Sequence, residues 1–309
     1  MTTAFDALQT AARLPYPALV KEIRALLADA SVQVPQRLVQ PLPGGGSLFV
    51  MPALDRRVAI AKLITFTPSN AGTPRPAIQG DVVVFDIATG ERTGNLHGPT
   101  VTARRTAAVS LLAAQCLAPN RQGPLLIVGA GAQGSAHLSA FTQELSIRHV
   151  FIASRSNASA QALAAYARTR DLEACVVPDA DGVLADCPLV VTCTPAHEVV
   201  LRGRPRDDAF VAAVGAFTPE MVELAPEVCR YFARQGRIVV DTPDARHEAG
   251  DLLQAGLDVG RCALLRDVVG QNAPAATGGP VLFKSCGWAG WDLAAARVAF
   301  PAGPTAPWL

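Results

Sequence analysis

The chain has 309 residues, half of them hydrophobic and 17% charged, with a formal net charge of +1. At about 150 residues per domain this predicts two domains around large buried cores. The charge balance excludes a basic nucleic-acid-binding protein. No apolar run approaches the ~20 residues of a membrane span, and the opening residues lack the apolar stretch of a signal peptide, so a cytoplasmic protein with no membrane partner is expected.

Residues 17–30, PALVKEIRALLADA, space Leu19, Val20, Ile23, Leu26 and Leu27 on one helical face. GSLFVMPAL (46–54) and RVAIAKLITF (57–66) read as strands. DVVVFDIATGERTGNLHG (81–98) reads as a strand, a turn at Thr89–Gly90 and a shorter strand. In VTARRTAAVSLLAA (101–114), Thr102 reads as the N-cap of a helix running to about Leu117. Arg104 and Arg105 then fall in the first turn, where free amides already make the helix end positive. Either both side chains point into water, or an anion binds there and the arginines help hold it. APNRQG (118–123) reads as a loop and a domain junction.

From residue 124 short aliphatic strands (PLLIVGAG running into a glycine turn, RHVFIAS, ACVVP, PLVVTCT, AFVAAVG and RIVVD) alternate with helical or loop segments. That rhythm predicts a parallel sheet covered on both faces. The tail GPTAPWL (303–309) reads as a surface extension or a segment packed through Trp308. The seven cysteines (116, 175, 187, 193, 229, 262 and 286) are odd in number and form no C-x-x-C pair, and the five histidines stand apart. Reduced thiols and no metal site are expected.

Gly129-Ala130-Gly131-Ala132-Gln133-Gly134 is G-x-G-x-x-G between a predicted strand and a predicted helix, the context of a dinucleotide fingerprint. Gly129 would allow the tight turn, Gly131 a close backbone approach to a pyrophosphate, and Gly134 close helix–strand packing. The helix start beginning at Ala132 and Gln133 would supply free amides. At the end of the second strand, Ser154, Arg155 and Ser156 stand where NAD-specific sites usually carry an acid. A guanidinium and two hydroxyls suit a 2′-phosphate, so NADP(H) is favoured and NAD(H) is possible.

VMPAL, AKLITFTPSN, VVFDIATGERTGNL, VTARRTAAVSLLAA, LLIVGAGAQG, VVTCTP, EAGDL and LFKSCGWAGWDLAAA follow one another in the order and spacing of the ornithine cyclodeaminase/mu-crystallin family. The chain resembles that family over nearly its whole length. The resemblance implies an α/β protein: a Rossmann doubly wound parallel sheet at 122–287, plus a mixed α+β substrate-binding and dimerisation domain at 1–121 joined by 288–309. It implies a homodimer, an active site in the cleft between the domains, and hydride transfer between a nicotinamide and the Cα of an amino acid or cyclic imine. Lys62 and Arg105 match the residues that act on the substrate carboxylate, Met51 matches a substrate-pocket methionine, and Arg37 lies near an early carboxylate-binding arginine. Thr106, Thr194, Gly215 and Ser285 fall at further cofactor positions. On this view Arg105 holds an anion and Arg104, roughly 100° further round the helix, is solvated. Read from its strand alone, Lys62 could instead snorkel to water.

Two positions depart from the cyclodeaminase pattern. Phe49 stands where those enzymes carry a glutamate, and Ala225 where they carry the aspartate of an E-L-D box, with Glu223 two residues away and Asp241 after the next strand. Cyclodeamination needs carboxylates for its proton movements, and such help is typically worth ~10²–10⁴-fold. Reduction of a preformed cyclic imine needs a carboxylate clamp and a hydride donor. The expected activity is therefore NAD(P)H-dependent reduction of a cyclic imino acid, Δ1-pyrroline-2-carboxylate or Δ1-piperideine-2-carboxylate. The alternatives are an ornithine cyclodeaminase, an alanine-dehydrogenase-like activity and a non-enzymatic, NADPH-binding crystallin-like protein.

Overall fold

The computed structural model describes residues 3–70, 73, 75–195, 198–270 and 278–301; the 303–309 tail and Trp308 lie outside them. The chain forms two compact units, Met1–Arg105 with Trp288–Leu309, and Thr106–Gly287.

The first unit begins with β1 (Thr3–Ala4) and α1 (Ala7–Arg13). A reciprocal capping box opens α1: Gln9 N donates to Asp6 Oδ1 at 2.8 Å and Asp6 N donates to Gln9 Oε1 at 3.1 Å. Helix α2 (Tyr16–Leu27) buries Leu19, Val20, Ile23 and Leu26 of the predicted stripe, while Leu27 at its end is only half-buried. Strands β2 (Leu38–Leu42), β3 (Gly46–Leu54), β4 (Val58–Phe66), β5 (Ile78–Asp86) and β6 (Arg92–His97) follow. They form a mixed sheet of order β1-β6-β5-β4-β3-β2, antiparallel except for the parallel β1–β6 edge.

Helix α3 spans Gly98–Leu117 without a break. The sequence places the domain junction in the loop at 118–123, whereas the compact units divide inside this helix, at Arg105/Thr106. The second unit holds β7 (Leu125–Val128), α4 (Ala132–Glu144), β8 (His149–Ala153), α5 (Asn157–Arg168), β9 (Glu173–Val176), β10 (Leu189–Thr192) and β11 (Phe210–Ala213). It continues with α6 (Pro226–Gln235), β12 (Arg237–Val240), α7 (Ala245–Glu248), α8 (Gly250–Gln254), β13 (Ala263–Leu264), α9 (Leu265–Val269) and β14 (Val281–Lys284). All eight strands run parallel in the order β13-β12-β14-β11-β10-β7-β8-β9. Strand order reverses between β7 and β10, the switch point at which doubly wound sheets take ligands. Strands β7, β10, β11 and β14 are buried at every position, as a sheet covered on both faces requires.

The last helix, α10 (Ala289–Ala299), belongs to the first unit and packs on β3, β4 and α2. Arg297 on α10 binds Asp55, Glu22 (3.1 Å) and Asp29 (2.6 Å), fixing the helix to three separate segments. Among the described residues no helix is long and apolar enough to cross a membrane.

Candidate active site

In the first unit, antiparallel pairing sets Met51 directly across from Lys62. Alternation then turns Ile60, Lys62 and Ile64 toward the helix-covered face, while Leu63 is exposed. Lys62 is 1% exposed in the middle of β4, so it cannot snorkel, and the solvated reading of this lysine fails. A buried ammonium needs a counter-charge. Asp292, in the first turn of α10, supplies it: its Oδ1 accepts from Lys62 Nζ at 3.0 Å and lies 3.3 Å from Arg105 Nε. Burial pulls Lys62 down to about 8, with Asp292 working against that and the charges of Arg105 and Arg37 adding to it. The sequence-predicted Arg37, Met51, Lys62 and Arg105 thus share one region of this unit. Asp292 was not singled out from the sequence, although the D-L-A end of the last motif contains it.

Lys62 and Arg105 share one oxygen of a single carboxylate, so among these three residues the charge is positive. The other oxygen, Asp292 Oδ2, is buried with no hydrogen-bond partner among the described residues. Phe49 lies on the same face as Met51, opposite Ile64, so the position of the second cyclodeaminase carboxylate is apolar here.

Two expectations about α3 are corrected. The helix starts at Gly98, and Thr102 is not its cap but donates its hydroxyl back to Gly98 O at 2.8 Å. Arg104 and Arg105 therefore lie beyond the first turn, where the helix dipole has faded, and Arg105 is held by Asp292 rather than by an anion at a helix end. Arg104 is not solvated: its Nε donates to Leu14 O at 2.7 Å and its guanidinium stacks over Tyr16 at 4.1 Å.

In the second unit the glycine turn follows β7 at the switch point. Gly129 has φ +114°, and a Cβ there would sit 2.9 Å from Cys193 O. A Cβ on Gly134 would lie 2.0 Å from Gly129 O, so only glycine permits this helix–strand approach. Gly131 is the N-cap of α4, offers no side-chain cap, and has open space where a Cβ would point. Its amides, with those of Ala132 and Gln133, are placed to receive an anion, so these residues fit a dinucleotide pyrophosphate. Beyond β8, Ser156 caps α5 by accepting from Ser159 N at 3.2 Å, and Ser154 Oγ accepts from Ser156 N at 3.4 Å. Arg155 between them is exposed and has no partner among the described residues.

The buried acids of this unit are committed to the backbone. Glu223 Oε1 accepts from Thr194 N (2.7 Å) and Thr194 Oγ1 (3.0 Å), and Oε2 accepts from Gly215 N (2.7 Å). Burial pushes its carboxyl above the usual range, and Lys284 pulls against that. Asp241 Oδ2 accepts from Ser285 Oγ (2.8 Å), Cys286 N (3.0 Å) and Gly287 N (2.9 Å). Neither can stand in as a substrate-facing acid without giving up these bonds. Ala225 is the uncapped N-cap residue of α6, packed in the apolar core. Thr106 is buried on α3. The sequence-predicted cofactor residues Thr194, Gly215 and Ser285 therefore lie together just past the carboxyl ends of β10, β11 and β14.

Doubly wound topology, a glycine turn at the switch point and a separate cation-rich cluster define a Rossmann-type α/β protein. The chain belongs to the ornithine cyclodeaminase/mu-crystallin family, whose sequence model matches residues 13–301. It is 40% identical to Delta(1)-pyrroline-2-carboxylate reductase 1 of Burkholderia multivorans over 303 residues, 96% of this chain and 95% of that protein. It is 39% identical to the Delta(1)-pyrroline-2-carboxylate/Delta(1)-piperideine-2-carboxylate reductase of Azospirillum brasilense, over 96% of this chain and 94% of that one. In structure it resembles the Delta(1)-pyrroline-2-carboxylate reductase of Thermococcus litoralis, solved with NADH and L-proline, with a TM-score of 0.86. The two are 22% identical, with 97% of this chain and 96% of that chain covered. That last likeness bears on the fold.

Proposed function

We propose that this protein reduces Δ1-pyrroline-2-carboxylate, and its six-membered homologue Δ1-piperideine-2-carboxylate, to the corresponding cyclic amino acids with a nicotinamide dinucleotide. The observation that carries the reading is the buried Lys62–Arg105–Asp292 cluster, an anion receptor that the chain itself leaves short of negative charge. Similarity of about 40% to reductases of these imines supports the same substrate class.

Arg105, Lys62 and Arg37 clamp the substrate carboxylate, each charged hydrogen bond contributing about 1.5–3 kcal/mol. Asp292 keeps the Lys62 and Arg105 side chains fixed before substrate arrives. Met51 and Phe49 offer apolar surface to a ring and nothing to a distal ammonium. The turn at Gly129, Gly131 and Gly134, with the amides of Ala132 and Gln133, holds the pyrophosphate. Thr106, Thr194, Gly215 and Ser285 complete the cofactor site. A bound reduced nicotinamide supplies the hydride to the C=N carbon. The ring nitrogen of such imines is readily protonated by water, so no positioned acid is required. Mixing the protein with NADPH or NADH and each imine, and separately with L-ornithine and NAD, tests this. Cofactor oxidation with the imines is expected. Ammonia release from ornithine without any imine reduction would reverse the reading.

The reading extends to NADPH over NADH, supported by Arg155 beyond β8. Arg155→Asp should weaken NADPH about tenfold or more relative to NADH, and an unchanged preference would remove Arg155 from the site. It extends also to a homodimer. The face of the first sheet opposite α10 sets Leu38, Val50 and Leu63 side by side, and Leu38 and Leu63 are 56% and 42% exposed. A second copy covering this row supplies the partner that an apolar face requires. Leu63→Glu should turn a dimer into a monomer in sedimentation, and a monomeric parent protein would end the proposal.

A further inference from the structure

Strands β10 and β11 are paired through Val214 N, which donates to Thr192 O at 2.9 Å, and past that rung the ladder stops. The next amides on the two segments, those of Thr194 and Gly215, turn instead to one carboxylate. Glu223, 0% exposed, gives one oxygen to each segment and takes the Thr194 hydroxyl as well. The space is closed around it: a Cβ on Gly215 would lie 2.5 Å from Glu223 Oε1 and 2.1 Å from Thr194 O. Glu223 is itself held from behind. Asp251 Oδ1 accepts from the backbone amides of Glu223 (2.6 Å) and Leu224 (2.9 Å), and Asp251 Oδ2 lies 2.8 Å from Lys284 Nζ. Lys284 also donates to Ala216 O at 2.6 Å, so the carboxyl ends of β10, β11 and β14 are wired through one set of buried charges.

In a doubly wound sheet each half of the dinucleotide lies over the carboxyl ends of one half of the strands. Arg155, beyond β8, marks the adenosine half on the β7–β8–β9 side. The nicotinamide half then falls over β10, β11 and β14. We propose, on the dinucleotide reading above, that Glu223 is a positioning residue for the nicotinamide half of the cofactor, stapling the segments at Thr194 and Gly215 into a ligand-ready shape. A carboxylate is required because both segments present N–H donors. An amide would offer a donor to one of them and leave it unbonded.

The test compares NADPH with 2′-phosphoadenosine 5′-diphosphate, which lacks the nicotinamide and its ribose, and NADH with ADP, by calorimetry. The parent protein should bind each dinucleotide more tightly than its fragment. Glu223→Gln should weaken the dinucleotides about tenfold or more and change the fragments less than twofold. Glu223→Asp, one methylene shorter and able to reach one segment only, should fall between. Equal losses for dinucleotide and fragment, or no loss for either, would overturn the assignment. A parent protein that binds none of the four nucleotides would overturn the dinucleotide reading itself. Amide hydrogen exchange on the unmodified protein gives a second measure that needs no variant. The Thr194 and Gly215 amides should be protected like those of Thr192 and Ala213, and free exchange at both would defeat the staple.

Discussion

Two lysines among the described residues are fully buried, and their surroundings push them in opposite directions. Lys62, in the first unit, is pulled down to about 8 by burial; Asp292, whose oxygen it shares with Arg105, works against that, and the charges of Arg105 and Arg37 add to it. Lys284, in the second, meets the same desolvation, but Asp251, Cys286 and Glu223 outweigh it and its proton is held more tightly than in water. Lys62 and Arg105 share the one carboxylate of Asp292; around Lys284 two carboxylates face one ammonium, Glu223 and Asp251 Oδ1 accepting backbone amides while Asp251 Oδ2 meets Lys284 Nζ at 2.8 Å. On the proposed reading, the substrate carboxylate completes the first cluster. The second pairs its cation with Asp251 and ties backbone segments together. Burial of charge alone therefore does not mark a site; the unbalanced remainder does.

The sharpest way to break this comparison is to delete each ammonium while keeping its volume. Lys62→Met should lower kcat/KM for Δ1-pyrroline-2-carboxylate by ~10²-fold or more, since it removes a charged clamp of about 1.5–3 kcal/mol and unsettles Arg105. Its melting temperature should change little. The lost cation was costly to bury, and Asp292 retains Arg105. Normal turnover by this variant would mean that the cluster is structural and that the carboxylate binds elsewhere.

Lys284→Met should do the reverse, acting first on stability. Asp251 and Glu223 would be left buried together with no cation, and breaking a buried pair from one side typically costs about 3–5 kcal/mol. For a chain of this size that is a fall on the order of 10 °C in the melting temperature. Adding Asp251→Asn should restore part of it, because the surviving like-charge repulsion is removed. A Lys284→Met protein as stable as its parent would make the second cluster no scaffold at all.

Much of the second unit was legible because its physics is local. Runs such as PLLIVGAG and PLVVTCT, alternating with helical segments, read as strands buried on both faces, and the glycine spacing states its own geometry. The helix cap at Thr102 was misread because a threonine before an aliphatic run looks like a start. The better signal lay four residues earlier, where Gly98 and Pro99 open α3 with a proline in its first turn. Helix α1 was missed although Asp6 and Gln9 spell a capping box. The Lys62–Asp292 pair joins residues 230 apart, and no periodicity connects them. Glu223 likewise bonds loops whose approach depends on strand order. Long-range charge pairing is fixed by topology, so it becomes visible only once the strands are placed.

The smallest effect is also the one that separates the two lysines by sign. Lys62 titrates near 8 in the folded chain, against about 10.4 for an unperturbed lysine. Below pH 8 it is charged, and on the proposed reading it clamps the substrate carboxylate. Above pH 8 that charge is lost, so the KM for the imine should rise, by at most about tenfold per pH unit. Folding responds the other way. Between pH 8 and about 10.4 the unfolded chain binds a proton at this lysine that the native chain has released, so stability from this group rises with pH across that window. Lys284 is shifted upward, so its contribution is fully present below the unfolded value and is lost only as pH climbs through its raised folded value, beyond the working range. The KM profile should therefore bend near pH 8 while Lys284 contributes no bend there, and Lys62→Met should flatten both the KM bend and the stability rise. A parent profile that is level from pH 7 to 9.5 would show that Lys62 keeps its proton, and the contrast between the two buried lysines would then be one of geometry alone.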